Sequence, residues 1–282
     1  MYRSFFSFFV FIFISILTFL ISKYSINYIK SIDPVMIEIK KNSFLYESSF
    51  VNAYINDEII IPGISGKVID FDSSFKLMKN YGGYNSNLLI YSDVSPKITI
   101  SNIYDKYIVS GNKNKKEVSF VFKVEDTNYL EEIVLILNKN NIIGTFFVSD
   151  YVVYESFDIL KFLYLNNQNI ESLGSNSSYD LLKIDKFNYL LKSYFNKSIN
   201  YCYSDSYNKE VLDICAKKKL HTIIPSLIID KYPFHNIKYN LSNGLIINFN
   251  NRELLLNELN YIISYVKQMG YKIVSLEKLL EE

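Results

Sequence analysis

Hydrophobic positions along the chain follow three successive patterns. Phe5 to Ser22 is an almost unbroken apolar run without a charge. A membrane-spanning helix needs about 17–25 apolar residues, so the pattern predicts a transmembrane anchor over residues 1–23. Arg3 precedes the run, and Lys23 and Lys30 follow it. A tail this short is expected to stay inside, which places the C-terminal part outside the cell membrane. A cleaved signal would have a shorter apolar core and small residues at the cut, and Leu20 to Ser25 offers no such site.

From residue 24 to 112 the apolar runs are short and interrupted. Residues 24–60 read as a stalk. Asp33-Pro34 stops any helix leaving the membrane, and Val35–Lys40 alternates weakly, as an edge strand would. Residues 61–112 carry repeated turn signals: Pro62-Gly63, Ser65-Gly66, Gly82-Gly83, Ser95-Pro96 and Gly111-Asn112. Between them lie Asn87–Tyr91 and Lys97–Ile100. This predicts a small, mainly β accessory segment with one helix near Ser73–Asn80.

After the polar junction Lys113–Glu117, strand and helix patterns alternate through residues 113–282. Strands are predicted at Val118–Val124, Ile143–Ser149, Ile170–Leu173, Ile199–Tyr203, His221–Pro225, Leu245–Asn248 and Lys272–Val274. Helices are predicted at Asn128–Asn140, Ser156–Leu165, Tyr179–Asn196, Asn208–Lys219 and Glu253–Met269, with a last short one at the end. In the first helix Leu130, Ile133, Val134 and Leu137 fall at i, i+3, i+4 and i+7. Such alternation implies an α/β domain with a mostly parallel sheet. Periodicity alone leaves a barrel and an open sheet undistinguished.

Charge and composition narrow the partners. With 30 basic and 29 acidic residues, the chain has no electrostatic footprint for nucleic acid. His221 and His235 are the two histidines, and they lack ligand spacing. Cys202 ends a strand and Cys215 lies on the next helix, with no zinc-type cluster around either. They are expected to form a disulfide or to be two buried thiols. A bridge would close a loop of roughly a dozen residues and stabilise by about 3 kcal/mol.

Three stretches carry a family likeness: Glu117–Phe122, Gly144-Thr-Phe-Phe-Val148, and the closing strand–helix–strand–helix from Asn243 to Leu280. In that order they make residues 117–282 resemble the polysaccharide deacetylase (NodB-like) family. The resemblance implies a distorted parallel (β/α) barrel. It also implies a metal that polarises an acetyl carbonyl and activates water, held by an Asp and two His, with a second Asp as base and a late His as acid. In this chain Lys123 stands at the base position and Asn250 at the acid position. Val124, Gly174 and Ser178 stand at the metal-ligand positions, and Asn200-Tyr-Cys-Tyr203 keeps only the Tyr of the family's Arg-x-Pro-Tyr element. No cofactor is therefore expected, and a divalent metal such as zinc enters only if an altered site exists.

Glu125 and Asp126, with Asp150 nearby, are candidates for a weak oxygen-rich site or for caps on the following helix. Tyr151, Tyr203 and Tyr207 are candidates for stacking on sugars at the barrel mouth. The resulting expectation is a single-pass, extracytoplasmic deacetylase-like protein that binds a cell-wall polysaccharide or a surface protein without catalysing deacetylation. An N-deacetylase with an altered site and a structural spacer are the alternatives.

Overall fold

The computed structural model describes residues 2–175, 178–250 and 252–282, with side chains from Val10 onward. The strands are β1 (Tyr54–Ile55), β2 (Ile59–Ile61), β3 (Gly66–Ile69), β4 (Tyr91–Val94), β5 (Tyr107–Ile108), β6 (Glu117–Val124), β7 (Thr145–Ser149), β8 (Asn169–Gly174), β9 (Tyr201–Tyr203), β10 (His221–Ile223), β11 (Leu227–Ile229), β12 (Ile246–Phe249) and β13 (Lys272–Ile273). The helices are α1 (Tyr2–Ser31), α2 (Pro34–Asn42), α3 (Phe71–Tyr81), α4 (Leu130–Lys139), α5 (Asp150–Glu155), α6 (Phe157–Leu165), α7 (Leu181–Phe195), α8 (Lys209–Lys217), α9 (Pro233–Asn240), α10 (Arg252–Gln268) and α11 (Leu276–Leu280). They divide into two compact units, residues 1–50 with 65–95, and residues 51–64 with 96–282.

In the first unit, Val10–Ser31 of α1 is long and apolar enough to cross a membrane, and its side chains are exposed. Val35–Lys40, expected as an edge strand, is helical within α2. Pro34 occupies the first helical position, where a missing N–H costs nothing, and the Asp33 carboxylate accepts from Val35 N at 3.0 Å. Met36 and Ile39, three residues apart, are the buried side chains of this helix. The spacing is helical, and the apparent alternation came from Glu38 between Ile37 and Ile39. The predicted helix near Ser73–Asn80 is α3. Asp70 caps its start and Gly82, at φ +103°, ends it. Strands β3 and β4 pair as an antiparallel ribbon, and Ile39, Ile69, Met78 and Leu89 form a small core.

The second unit is built on one curled sheet in the order β11-β12-β6-β7-β8-β9-β10-β5-β2-β1, with β13 also paired to β6. Every pairing is parallel except β1 with β2. This is the expected distorted parallel (β/α) barrel, left unclosed between β11 and β1. Strands β2 and β5 lie at 59–61 and 107–108, inside the expected stalk and accessory segments, and join this sheet with Ile60 and Ile108 fully buried. Two helices, α5 and α9, and strand β11 lie outside the predicted elements.

Alternation along the strands sorts side chains into two cores. Phe120, Phe122, Val124, Phe146 and Val148 pack outward beneath Leu130, Ile133, Val134, Leu137, Leu255 and Leu259 of the helices. Val121, Phe147, Leu173, Tyr203, Ile223 and Ile246 point into the curl with Leu276, Leu279 and Leu280 of α11. Gly244, at φ +78°, is required: a Cβ there would sit 2.5 Å from Gly111 O.

Candidate functional site at the mouth of the barrel

Sites in parallel barrels form where the strands end. Lys123, the next inward residue after Val121 on β6, occupies that place. Its ammonium donates to Asp205 Oδ2 at 3.0 Å, lies 3.9 Å from Glu125 Oε1, and sits 5.4 Å from the centre of the Tyr203 ring. Its side chain is only 15 % exposed. The Tyr203 hydroxyl donates to Asp205 Oδ1 at 3.0 Å. Burial, followed by the charge of Asp205, pushes the Tyr203 phenol well above its ordinary range. One carboxylate thus collects a lysine and a tyrosine where the family likeness places a general base. A lysine paired with Asp205 thus stands where the likeness expects a carboxylate.

The positions that the sequence likeness assigns to metal ligands hold Val124, Gly174 and Ser178. Val124 is fully buried in the layer between sheet and helices. Gly174 adopts φ +70°, and a Cβ on it would lie 2.4 Å from Ser178 O. Ser175 and Ser178 exchange backbone hydrogen bonds at 2.8 and 2.9 Å, which fixes that close approach. Asn176 and Ser177 lie outside the described residues. At the acid position, Asn250 donates to Asp230 Oδ1 at 2.7 Å and accepts from Asn248 Nδ2 at 2.5 Å.

The candidate oxygen-rich site divides. Asp126 accepts from Asn128 N at 2.8 Å, and Arg252, whose side chain is 7 % exposed, holds its backbone carbonyl at 2.9 Å and its carboxylate. Arg252 escaped the sequence reading, although a single arginine opening a helix beside Asn250 was a usable sign. Asp150 lies apart. It is 5 % exposed and accepts from Ser175 Oγ at 3.0 Å, and that hydroxyl in turn accepts from Lys183 at 2.8 Å. Burial raises the Asp150 carboxyl above its usual range. Among the described residues no three His, Cys, Asp or Glu side chains converge as a metal site. Asp126, Asp230, Asn250 and Arg252 instead line an open groove of about 440 Å³.

Of the tyrosines expected to face solvent, Tyr151 and Tyr207 do, at 63 % and 56 % exposure. Tyr203 does not. It is fully buried, because β9 turns its ring inward against Phe147 at 5.2 Å. Tyr179 fastens that strand, accepting from Tyr203 N at 2.7 Å and lying 2.9 Å from Ser172 O, to which it donates. Tyr207 lies edge-on to Tyr107 at 5.1 Å. Cys202 and Cys215 are bonded, with Cα atoms 6.4 Å apart. His221 starts β10 beside Tyr104 and His235 is exposed beside Tyr239, so neither reaches the mouth.

The crystal structure of BA3943 from Bacillus anthracis, described as a CE4 family pseudoenzyme, superposes with a TM-score of 0.73 over 89 % of this chain and 96 % of that one, at 24 % identity. The fold is that of the family 4 carbohydrate esterases. A family 4 carbohydrate esterase from the same organism matches with a TM-score of 0.52 over 61 % of this chain and 86 % of its own, at 16 % identity. The sequence is also 25 % identical over 321 residues to the uncharacterized protein YlxY of Bacillus subtilis, spanning all of this chain and 98 % of YlxY. No protein-family model matches the sequence. Lys123, Val124, Gly174, Ser178 and Asn250 all lie at one end of the strands of this fold.

Proposed function

We propose that this protein is a membrane-anchored, extracytoplasmic member of the esterase lineage that binds a cell-wall glycan and does not deacetylate it. The observation carrying this reading is the Lys123–Asp205–Tyr203 cluster. It fills the barrel mouth with an internally compensated ion pair in place of a proton acceptor, beside positions that offer no metal ligand. Fold and chemistry separate readily in this way. Three features support the rest. The Val10–Ser31 segment has the length and composition of a membrane span. The Cys202–Cys215 bond suits an oxidising compartment. The exposed rings of Tyr151 and Tyr207 offer the flat apolar faces on which sugars stack.

The test uses the full chain in detergent, with isolated peptidoglycan and N-acetylated chito-oligosaccharides. The expected result is co-sedimentation with peptidoglycan, weakened in Tyr207→Ala and Tyr151→Ala, and no acetate release with added Zn²⁺. Acetate release above a blank would restore the enzyme reading. Failure to sediment with the polymer would turn the reading toward a protein partner.

A further inference from the structure

At the end of β8, on the same side of the barrel as Lys123, the sheet register slips. Thr145 to Val148 of β7 pair in step with Asn169 to Ser172, and then Ser149 pairs with Gly174, passing over Leu173. Irregularities of this kind re-aim side chains where strands end. Here the slip sets the next two residues, Asp150 and Ser175, side by side. The Ser175 hydroxyl donates to Asp150 Oδ2 at 3.0 Å and accepts from Lys183 Nζ at 2.8 Å. Helix caps hold both partners. Ser149 Oγ accepts from Val152 N at 3.3 Å at the start of α5, and Asp180 Oδ1 accepts from Leu182 N at 2.9 Å and from Lys183 N at 3.2 Å at the start of α7. The turn is pinned by the Ser175–Ser178 backbone pair and by Tyr179, whose hydroxyl donates back to Ser172 O. Asp150 is buried, Ser175 half-buried and Lys183 exposed, so the cluster opens to solvent on the serine's side.

We propose that Ser175 is a metal-independent nucleophile that takes the acyl group of a small carboxylic ester, with Asp150 as its base. A hydroxyl has one proton and two lone pairs. The proton is directed at Asp150 and one lone pair at Lys183, and among the described residues no third group claims the other, which is left for attack. A nucleophile and base within hydrogen-bond reach, oriented by further groups, are the recurring arrangement of covalent catalysis. Ser175 Oγ would bond to the acyl carbon while its proton passes to Asp150 Oδ2. The bond from that carbon to the ester oxygen breaks, and the alcohol leaves with the proton. Water then attacks the acyl-serine, giving a proton to Asp150, which returns it to Ser175 as the carboxylic acid departs. Lys183 Nζ places a donor beside the carbon under attack, where the oxyanion gathers. An ester fits better than an N-acetyl amide, because an alcohol leaves more readily than an amine and only this one donor is at hand. The N-acetyl groups of a bound glycan would therefore stay in place.

The experiment treats the full chain in detergent and EDTA with a fluorophosphonate–biotin probe, and separately with p-nitrophenyl acetate. Attack on the probe forms an O–P bond and expels fluoride, leaving a permanent mark on the nucleophile. The expected result is an adduct at Ser175 by peptide mass spectrometry, lost when the chain is first unfolded in urea, together with release of p-nitrophenol. Ser175→Ala should abolish both. Asp150→Asn, which keeps the shape of the side chain, should slow labelling about a hundredfold, the low end of what a general base supplies. Lys183→Met, at an exposed position, should slow it several-fold at an unchanged urea midpoint. Ser193→Ala, exposed further along α7, should change neither reading. Absence of an adduct, an adduct confined to another serine, or labelling of Asp150→Asn at the parent's rate would overturn the proposal. Should the Ser175 or Asp150 variant not fold, the position of the adduct in the parent and the rate in Lys183→Met decide it. Co-sedimentation with peptidoglycan is a separate measurement, so glycan binding and acyl transfer can each fail without the other.

Discussion

Lys123 Nζ reaches Asp205 Oδ2 across 3.0 Å, from the end of β6 to the loop after β9, at the end of the strands where parallel barrels form their sites. A carboxylate at position 123 could take a proton from water. Here a lysine, 15 % exposed and paired with Asp205, takes the place of that carboxylate. Asp205 is 45 % exposed, so the pair stabilises only modestly. Lys123→Met should cost about 1 kcal/mol, read as a lower urea midpoint at unchanged slope. Lys123→Asp should cost more, because it faces Asp205 and Glu125 with a third negative charge. It should release no acetate from a chito-oligosaccharide, because a base without a metal has no activated water. Measurable turnover by Lys123→Asp alone would refute the account of the site.

Placing a histidine at position 174, where the sequence likeness puts a metal ligand, meets a backbone obstacle. At φ +70°, with Ser178 O 2.4 Å from any added Cβ, Gly174→His must shift the Ser175–Ser178 turn. The cost should be about 1–3 kcal/mol, and Gly174→Ala should show most of it, since the clash begins at Cβ. Neither variant should retain zinc through gel filtration. A Gly174→Ala variant as stable as the parent would show that the turn yields easily.

The outer core was legible in the sequence and the mouth was not, for a physical reason. Leu130, Ile133, Val134 and Leu137 declare their helix through local spacing. Phe120, Phe122 and Val124 share one strand face by period two, so β6, β7 and α4 fall where the pattern places them. The site depends on contacts that no local period encodes. Arg252 holds Asp126 across 126 positions, and Lys123 holds Asp205 across 82. Tyr203 reads as an ordinary mouth tyrosine until its strand is seen to turn the ring inward. Likewise Ile60 and Ile108 are short apolar runs in a turn-rich region, and only the long-range pairing of β2 with β5 and of β5 with β10 makes them part of the sheet.

Stability should respond to pH through Glu171 and His221 in opposite senses. Glu171 titrates near 8 when folded and near 4.5 when unfolded. Between those values the folded chain holds the extra proton, so stability falls as pH rises, by at most about 1.4 kcal/mol per pH unit. Burial lowers His221 from 6.5 to about 4. Between those values the unfolded chain holds the extra proton, so stability falls as pH drops. Glu171→Gln should therefore gain on the parent progressively from pH 5 to pH 8 and match it near pH 4. His221→Gln should instead lessen the loss below pH 6. Urea midpoints at half-unit steps measure both, and parallel profiles for Glu171→Gln and the parent would sink the assignment.

The disulfide gives a prediction about both stability and location. Cys202 is the central residue of β9 and Cys215 sits on α8, both fully buried in the outer core and 13 residues apart in sequence. Closing so short a loop restricts the unfolded chain, so reduction or Cys215→Ala should cost about 3 kcal/mol. Because the sulfurs are buried, the folded protein should resist mild reductant and lose the bond only as it unfolds, with urea transitions in dithiothreitol shifted to lower concentration. The proposed compartment can be tested through the same bond. In intact cells an extracytoplasmic barrel should yield no free thiol to maleimide after rapid acid quench and denaturation, whereas a version lacking residues 1–23 and retained in the cytoplasm should label at both cysteines. Full labelling of the anchored protein would place its barrel on the reducing side of the membrane.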